Sequence, residues 1–334
     1  MSSLSLALLL LLPLAARAAE PSEAAWKASC RRAAAVALPA ADQPDVATQK
    51  QLAGCTSEAL FYGVGQKADP DRARLCAYVE RAAGDGVVFG GSAMLMTIYA
   101  TGVGAPRSVP LAIRFACDLD GAPAEMEGRI AHLEALGRGD PKGPATFDLC
   151  DDVTSGFMQG HCAAHQQRIE QAKRDQRYAA RLATWTPDQR AAFQRLRATA
   201  DGFFRARAES EVDLSGTARA ALQIQAETEL ETGFEALLAL LERGQAPHAS
   251  AEDFAGADRA LNEAYRKIMK GQDPVSGTVT KAGVRRAEKS WVKYRDGWVA
   301  LARIKFPVAD SRGLKAWLTR QRSEMLTEFV PDAR

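Results

Sequence analysis

The side chains able to do acid–base or metal chemistry are few. The 334-residue chain holds four histidines, His132, His161, His165 and His248. His161-Cys162-x-x-His165 puts two imidazoles one helical turn apart, a spacing zinc can use, but it lacks the glutamate of a protease helix. The glycine stretches GVGQKADP and GDGVVFGGS carry no Gly-Lys-Ser/Thr at a helix start, so they read as turns between helices and not as phosphate loops. There is no Gly-x-Ser-x-Gly elbow, and the carboxylate pair Asp151-Asp152 sits in ordinary polar surroundings. No metal, no cofactor and no enzymatic activity are expected.

Binding is the other chemistry to weigh, and RRAEKSWVKYRDGWVALARIKFP, residues 285–307, raises it most directly. The segment carries two of the five tryptophans and a tyrosine among many basic residues. Val284, Ala287, Trp291, Tyr294, Trp298 and Leu301 follow steps of three and four, which is one continuous helix face. Lys289, Lys293, Arg286 and Arg303 fall mainly on other faces. The spacing predicts a core stripe inside and solvated charge outside, with Trp298 or the basic face as an interface anchor the alternative.

Composition narrows the class. An apolar content of 47% belongs to a folded chain, and a net charge of +2 gives no reason to expect nucleic-acid binding. The charge is uneven: residues 247–334 carry 17 Lys and Arg against 11 Asp and Glu, while residues 147–246 carry 12 against 15. The opening MSSLSLALLLLLPLAARAAEPS has a leucine run too short to span a bilayer, then the small-x-small pattern Ala16-Arg17-Ala18. Residues 1–18 are therefore expected to be a cleaved export signal. An uncleaved anchor is the alternative, because no Lys or Arg precedes the leucines. No later stretch approaches the roughly 20 apolar residues of a spanning helix, so no transmembrane segment is expected after cleavage, and the destination is the periplasm or the exterior. Six cysteines, Cys30, Cys55, Cys76, Cys117, Cys150 and Cys162, form an even set of the kind that makes disulfides in exported proteins. All six lie in the first half, so the second half must cohere by packing.

The elements that would position these residues are helices. Alternating strand patterns are almost absent, and apolar residues recur at helical spacing between Gly and Pro breaks. Residues 46–84 read as two helices broken at GVGQKADPD, and residues 91–118 repeat the plan around TGVGAPRSVP. Setting Tyr62 on Tyr99 and Ala73 on Ala112 brings the units together with a two-residue difference in the turn. A degenerate third unit is expected at EGRIAHLEALGRGDPKGP. From about residue 147 the helices become longer and more charged. Thr186 with Gln189 forms a capping box around Pro187, and Ser215, Ser250 and Ser311 are candidate caps for later helices. Two sets of these helices look like tandem copies. Phe193, Leu196, Ala200 and Phe203 fall on Val284, Ala287, Trp291 and Tyr294, and Gly216, Ala221 and Glu227 fall on Gly313, Leu318 and Glu324 after a change of offset.

AMLMTIYATGVGAPRSVPLAIRFA resembles a Sel-one-like repeat, a relative of the tetratricopeptide repeat in which Tyr-x-x-Gly-x-Gly joins two close-packed helices. The resemblance implies a stacked repeat scaffold suited to binding. Cys55 lies about two turns before such a break and Cys76 a similar distance after it, so a Cys55–Cys76 bridge is expected, with pairing of one of them to Cys30 the alternative. ADRALNEAYRKIM followed by RRAEKSWVKYRD resembles the LprI-like lysozyme-inhibitor family through Asp258, Leu261, Asn262, Tyr265, Ala287, Trp291, Tyr294, Arg295 and Asp296. That family also begins with two cysteines about eleven residues apart, which CDDVTSGFMQGHC supplies as Cys150 and Cys162 around Thr154 and Met158. The pattern is split across the two copies: the first copy has the cysteines but RDQRYAARL where the family has Leu-Asn, and the second has Leu-Asn-x-x-Tyr without cysteines.

The expected fold is all-α: an N-terminal α-solenoid of short helical hairpins over 19–146, then two small helical-bundle domains over 147–246 and 247–334. The resemblance implies an exported, non-catalytic protein that binds a protein of the bacterial envelope, with lysozyme or a wall hydrolase as the partner. Many lysozymes are strongly basic, so the +6 second copy is electrostatically the wrong face for one, whereas the −3 first copy is permitted. The alternatives are an adaptor that binds through the repeat groove and a binder of anionic envelope polymers.

Overall fold

The computed structural model describes residues 25–84, 88–139 and 146–330, and the expected export signal lies outside them. Among the described residues the fold is all-α. Seven short helices come first: α1 (Ala25–Ala34), α2 (Val46–Gln51), α3 (Ser57–Tyr62), α4 (Pro70–Ala83), α5 (Gly91–Thr101), α6 (Val109–Ala116) and α7 (Pro123–Arg138). Six longer ones follow: α8 (Gly156–Leu182), α9 (Pro187–Ser210), α10 (Arg219–Glu242), α11 (Ala251–Lys270), α12 (Lys281–Lys305) and α13 (Ser311–Thr327).

The short helices form successive hairpins, α3 with α4 and α5 with α6, and each packs on the next. The two hairpin turns are built alike. Gly63 and Gly102 end α3 and α5 in the left-handed conformation, and the Asp69 and Ser108 amides donate to the Leu60 and Tyr99 carbonyls at 2.8 and 2.9 Å. Tyr99 therefore corresponds to Leu60, not to Tyr62, and the turns are of equal length. The two-residue difference expected from the tyrosines does not exist, because the hydrogen-bonded frame and not the aromatic residue sets the register. In α5 every residue from Gly91 to Ala100 is buried, since helices cover it on both sides. The third expected unit supplies α7, which ends at Gly139; the break after it falls outside the described residues.

Three disulfides tie this region. Cys55–Cys76 joins the hairpin across its turn, with the Cα atoms 6.0 Å apart. Cys30–Cys117 fastens α1 to the end of α6, so Cys30 does not compete for Cys55 or Cys76. Cys150–Cys162 closes the approach to α8, and it packs with Phe147 and Leu149 against the core of the short helices. That core thus extends beyond residue 146 into the start of α8.

The six long helices share one second core, running from Tyr178 to Leu326. Helix α8 lies on α10, α11 on α13, and α9 on α12. The α9–α12 pair is antiparallel: Gly283 near the start of α12 sits against Ser210 at the end of α9, Phe203 stacks on Tyr294 at the middle (5.4 Å), and Gly297 meets Leu196 and Thr199 beyond it. Phe193, Leu196, Ala200 and Phe203 are all buried, as are Val284, Ala287, Trp291 and Tyr294, so both helices turn the same stripe to the seam. The register expected for the last helices fails. Gly216 lies in a turn before α10 while Gly313 is inside α13. The burial patterns of α10 and α13 coincide instead when Ala226, Leu230 and Leu238 are set on Leu314, Leu318 and Leu326.

Two of the four expected helix caps form and two do not. Thr186 and Ser250 each form the full capping box, with Gln189 and Asp253. Ser215 does not cap α10, which starts at Arg219 with Ala218 before it, because the Ser215 hydroxyl donates to Asp213 instead. Helix α13 is capped by Asp310, not by Ser311, which is its first residue.

The two glycines Gly283 and Gly233 are both inside helices but differ in what surrounds them. A methyl group on Gly283 would lie 2.9 Å from the Ser210 carbonyl oxygen, whereas none of the surrounding atoms comes within 4 Å of one on Gly233. Gly283→Ala is expected to wedge the α9–α12 seam and cost about 1–3 kcal/mol. Gly233→Ala is expected to add about 0.5–1 kcal/mol by stiffening α10. Urea unfolding midpoints of the two variants, shifted in opposite directions, check both.

Candidate protein-binding site

The residues that carried the family resemblance divide between core and surface. Leu261, Trp291 and Tyr294 are buried, and Tyr265 packs half-buried against the same core. The polar members pair within their own helices. Asn262 donates to the Asp258 carbonyl (2.8 Å) and carboxylate (3.0 Å), while Arg295 bonds Asp296 (2.9 Å) and lies over the Trp291 ring at 5.1 Å. Val284, Ala287, Trp298 and Leu301 complete the α12 stripe and are buried, and Arg286, Lys289, Lys293 and Arg303 are exposed. Trp298 has no exposed surface, which removes it as an interface anchor.

The start of α8 has no metal-site chemistry left to it. Cys162 is spent in its disulfide, and the His165 ring is buried between repeat and bundle. Its Nδ1 meets the Glu58 carboxylate at 2.5 Å, Phe89 stacks on it at 4.1 Å, and Tyr62 meets it edge-on at 4.7 Å. Arg168 donates to the same Glu58 oxygen at 2.6 Å. Burial opposes ionisation of Glu58, but the hydrogen bonds from His165 and Arg168 outweigh it and hold the carboxyl below its ordinary 4.5. Among the described residues no group of three or more His, Cys, Asp or Glu could hold a metal ion.

A buried ion cluster is the feature that sequence reading missed. The Arg322 guanidinium on α13 has no solvent exposure and grips Glu211 with two hydrogen bonds, 2.7 and 2.6 Å; its Nε donates to Glu288 on α12 at 2.9 Å. Glu211 follows α9 directly, so the cluster joins the two halves of the bundle. Burial pushes the Glu288 carboxyl up against the pull of Arg322, while Arg322 is held firmly cationic by Glu211 despite its own burial. The available signal was Arg322's place on the apolar stripe of α13, four residues from both Leu318 and Leu326.

Above this cluster opens a crevice of about 90 Å³ between α10 and α13. Phe203, Trp291 and Tyr294 form its floor, Leu230 and Gly233 one wall, and Trp317, Leu318 and Met325 the other, with Glu229 and Gln321 at its edges. Leu230 and Leu318 are matched positions in the two burial patterns, as are Glu229 and Trp317, so the crevice straddles the seam between the halves. A larger groove, about 840 Å³, runs between the first hairpin turn (Val64 to Lys67) and α8.

The last three of the six helices that frame the second core are those in which a known family is recognised. Residues 241–326 match the family model described as Lysozyme inhibitor LprI. The match takes in α11, α12 and nearly all of α13, with only the last two residues of α10, so it covers Trp291, Tyr294 and the α13 wall of the crevice but not α9 or the α10 wall. No curated protein and no solved structure matches the chain. By its description the matched family is one of lysozyme inhibitors. The three disulfides and the family together favour an extracytoplasmic protein, and no described helix is long and apolar enough to cross a membrane.

Two outcomes follow. Arg322→Met leaves Glu211 buried without its cation and is expected to destabilise the chain by about 3–5 kcal/mol, with much of the loss recovered when Glu211→Leu is added; chemical denaturation of the single and double variants checks this. Because the Glu58 carboxyl is depressed when folded, its contribution is present above 4.5 and lost as pH falls through the lower folded value. Acid titration monitored by hydrogen exchange should open the contact of α3 with α8 in that range, and Glu58→Gln should weaken this pH dependence.

Proposed function

We propose that this chain is an exported, non-catalytic binding protein of the bacterial envelope that inhibits lysozyme or a related wall hydrolase. The observation that carries the reading is the match of residues 241–326 to the lysozyme-inhibitor family. Three disulfides support export, and residues 1–18 are proposed as the cleaved signal. The family-motif residues Asp258, Asn262, Arg295 and Asp296 remain candidates for partner contact because they border exposed faces of α11 and α12.

The domain plan belongs to the same proposal: Sel-one-like repeats over 19–146, then tandem LprI-like units over 147–246 and 247–334. The equal order of three helices, the matched stripes of α9 and α12, and the matched burial of α10 and α13 support duplication.

A second reading is an adaptor that holds an envelope protein in the groove between the first repeat turn and α8, favoured by the size of that groove. The full chain, purified with its disulfides, should slow digestion of peptidoglycan by lysozyme, with inhibition saturating at a fixed molar ratio. Unchanged digestion at excess inhibitor rejects inhibition of that lysozyme and turns attention to the groove.

A further inference from the structure

We infer that the crevice between α10 and α13 receives an arginine side chain from a basic protein partner. The inference rests on the proposed binding role and names its site. A space of about 90 Å³ is too small for a cofactor or drug-sized ligand but fits the end of one long side chain. Its lining sets an aromatic ring on one side and a carboxylate on the other: half-buried Trp317 on α13, and exposed Glu229 on α10. A planar guanidinium suits both better than an ammonium, since it can stack flat on the indole while its N–H groups meet the carboxylate. The aliphatic stem would lie along Leu230, Leu318 and Met325.

Charge around the crevice agrees. Glu324 and Glu328 are exposed one helical turn on from Gln321 and Met325, so the α13 rim is acidic as well. The cation in the floor, Arg322, is met by two carboxylates, Glu211 and Glu288, and presents no net positive charge to an incoming ligand. Arg295 lies over Trp291, while Trp317 keeps part of its surface exposed. Although residues 247–334 are basic overall, the exposed Arg285, Lys289 and Lys293 belong to α12, and the crevice opens between α10 and α13. This resolves the conflict between a basic second unit and a basic partner: the partner meets the acidic seam, not the basic face.

Two variants of the full chain test the site. Gly233→Leu fills the crevice from a position with free space around it, and Glu229→Lys reverses the rim charge at an exposed position. Both should keep wild-type helicity and neither should lower the unfolding midpoint, which Gly233→Leu should raise by removing a helical glycine. N-acetyl-arginine amide is the small probe, read by tryptophan fluorescence, with the neutral isostere N-acetyl-citrulline amide as control; a strongly basic lysozyme is the protein probe, read by calorimetry. The arginine probe should give a saturable change with wild type that the citrulline probe does not, and each variant should weaken both the arginine probe and lysozyme by about tenfold or more, the scale of a lost desolvated cation–π contact. Absence of a saturable response in wild type, or an equal response in Gly233→Leu, overturns the crevice. A crevice-dependent arginine response without lysozyme binding supports the site and removes lysozyme as its partner.

Discussion

The antiparallel contact of α9 with α12 is the constraint on which the second half of this molecule depends. Helix α12 carries Trp291, Tyr294 and Trp298 on one stripe, and three such side chains represent several kcal/mol of burial that no single neighbour in their own half provides. Helix α13 covers part of the stripe, and α9 and α10 cover the rest: Phe203 stacks on Tyr294, and Phe234 lies against Trp298 at 4.7 Å. Once that seam forms, the outer pairs α8–α10 and α11–α13 have fixed places on either side. The seam also creates the crevice, because α10 and α13 approach over its centre without closing.

Charge is spent on the same architecture. Most carboxylates of α10 do not form an open acidic face: Glu231 is bound by Arg197, Glu235 by Arg177 and Glu242 by Arg181, which fasten α10 to α8 and α9. Glu229 stands apart, exposed at the crevice edge, where Gln225 from its own helix donates to it at 3.0 Å. Within the core, Arg322 with Glu211 and Glu288 is a costly substitute for apolar packing. Its value is directional, since hydrogen-bonded ions accept one registration of α13 against α9 and α12, where leucines would tolerate several. The contact between the short hairpins and α8 uses the same device with Glu58, His165 and Arg168.

Local features were legible in the chain where local geometry decides them. Cys55 and Cys76 face one another because a hairpin of known rise and turn length puts them there, and Thr186 and Ser250 cap because their third neighbours, Gln189 and Asp253, can reciprocate. The Cys30–Cys117 bridge was not legible, since it requires α1 to fold back over α6. Ser215 misled because Asp213, two residues away, competes for its hydroxyl. The two tyrosines misled because the two hairpins correspond through their hydrogen-bonded turns, in which Tyr62 and Tyr99 sit two residues out of phase.

By itself the sequence determined the helical class, the even set of exported-type cysteines, the inward stripe of α12 and the likeness of its last third to a lysozyme-inhibitor family. These depend on periodicity and residue type, which a linear chain displays. Only the tertiary structure decided which face remains available to a partner. The spacing of Trp291 and Tyr294 marks them as core but does not say which helices cover them, and Glu229 and Trp317, far apart in the chain, become the two sides of one crevice only through that packing. A binding surface is what packing leaves uncovered, and it is set by long-range burial that no local spacing records.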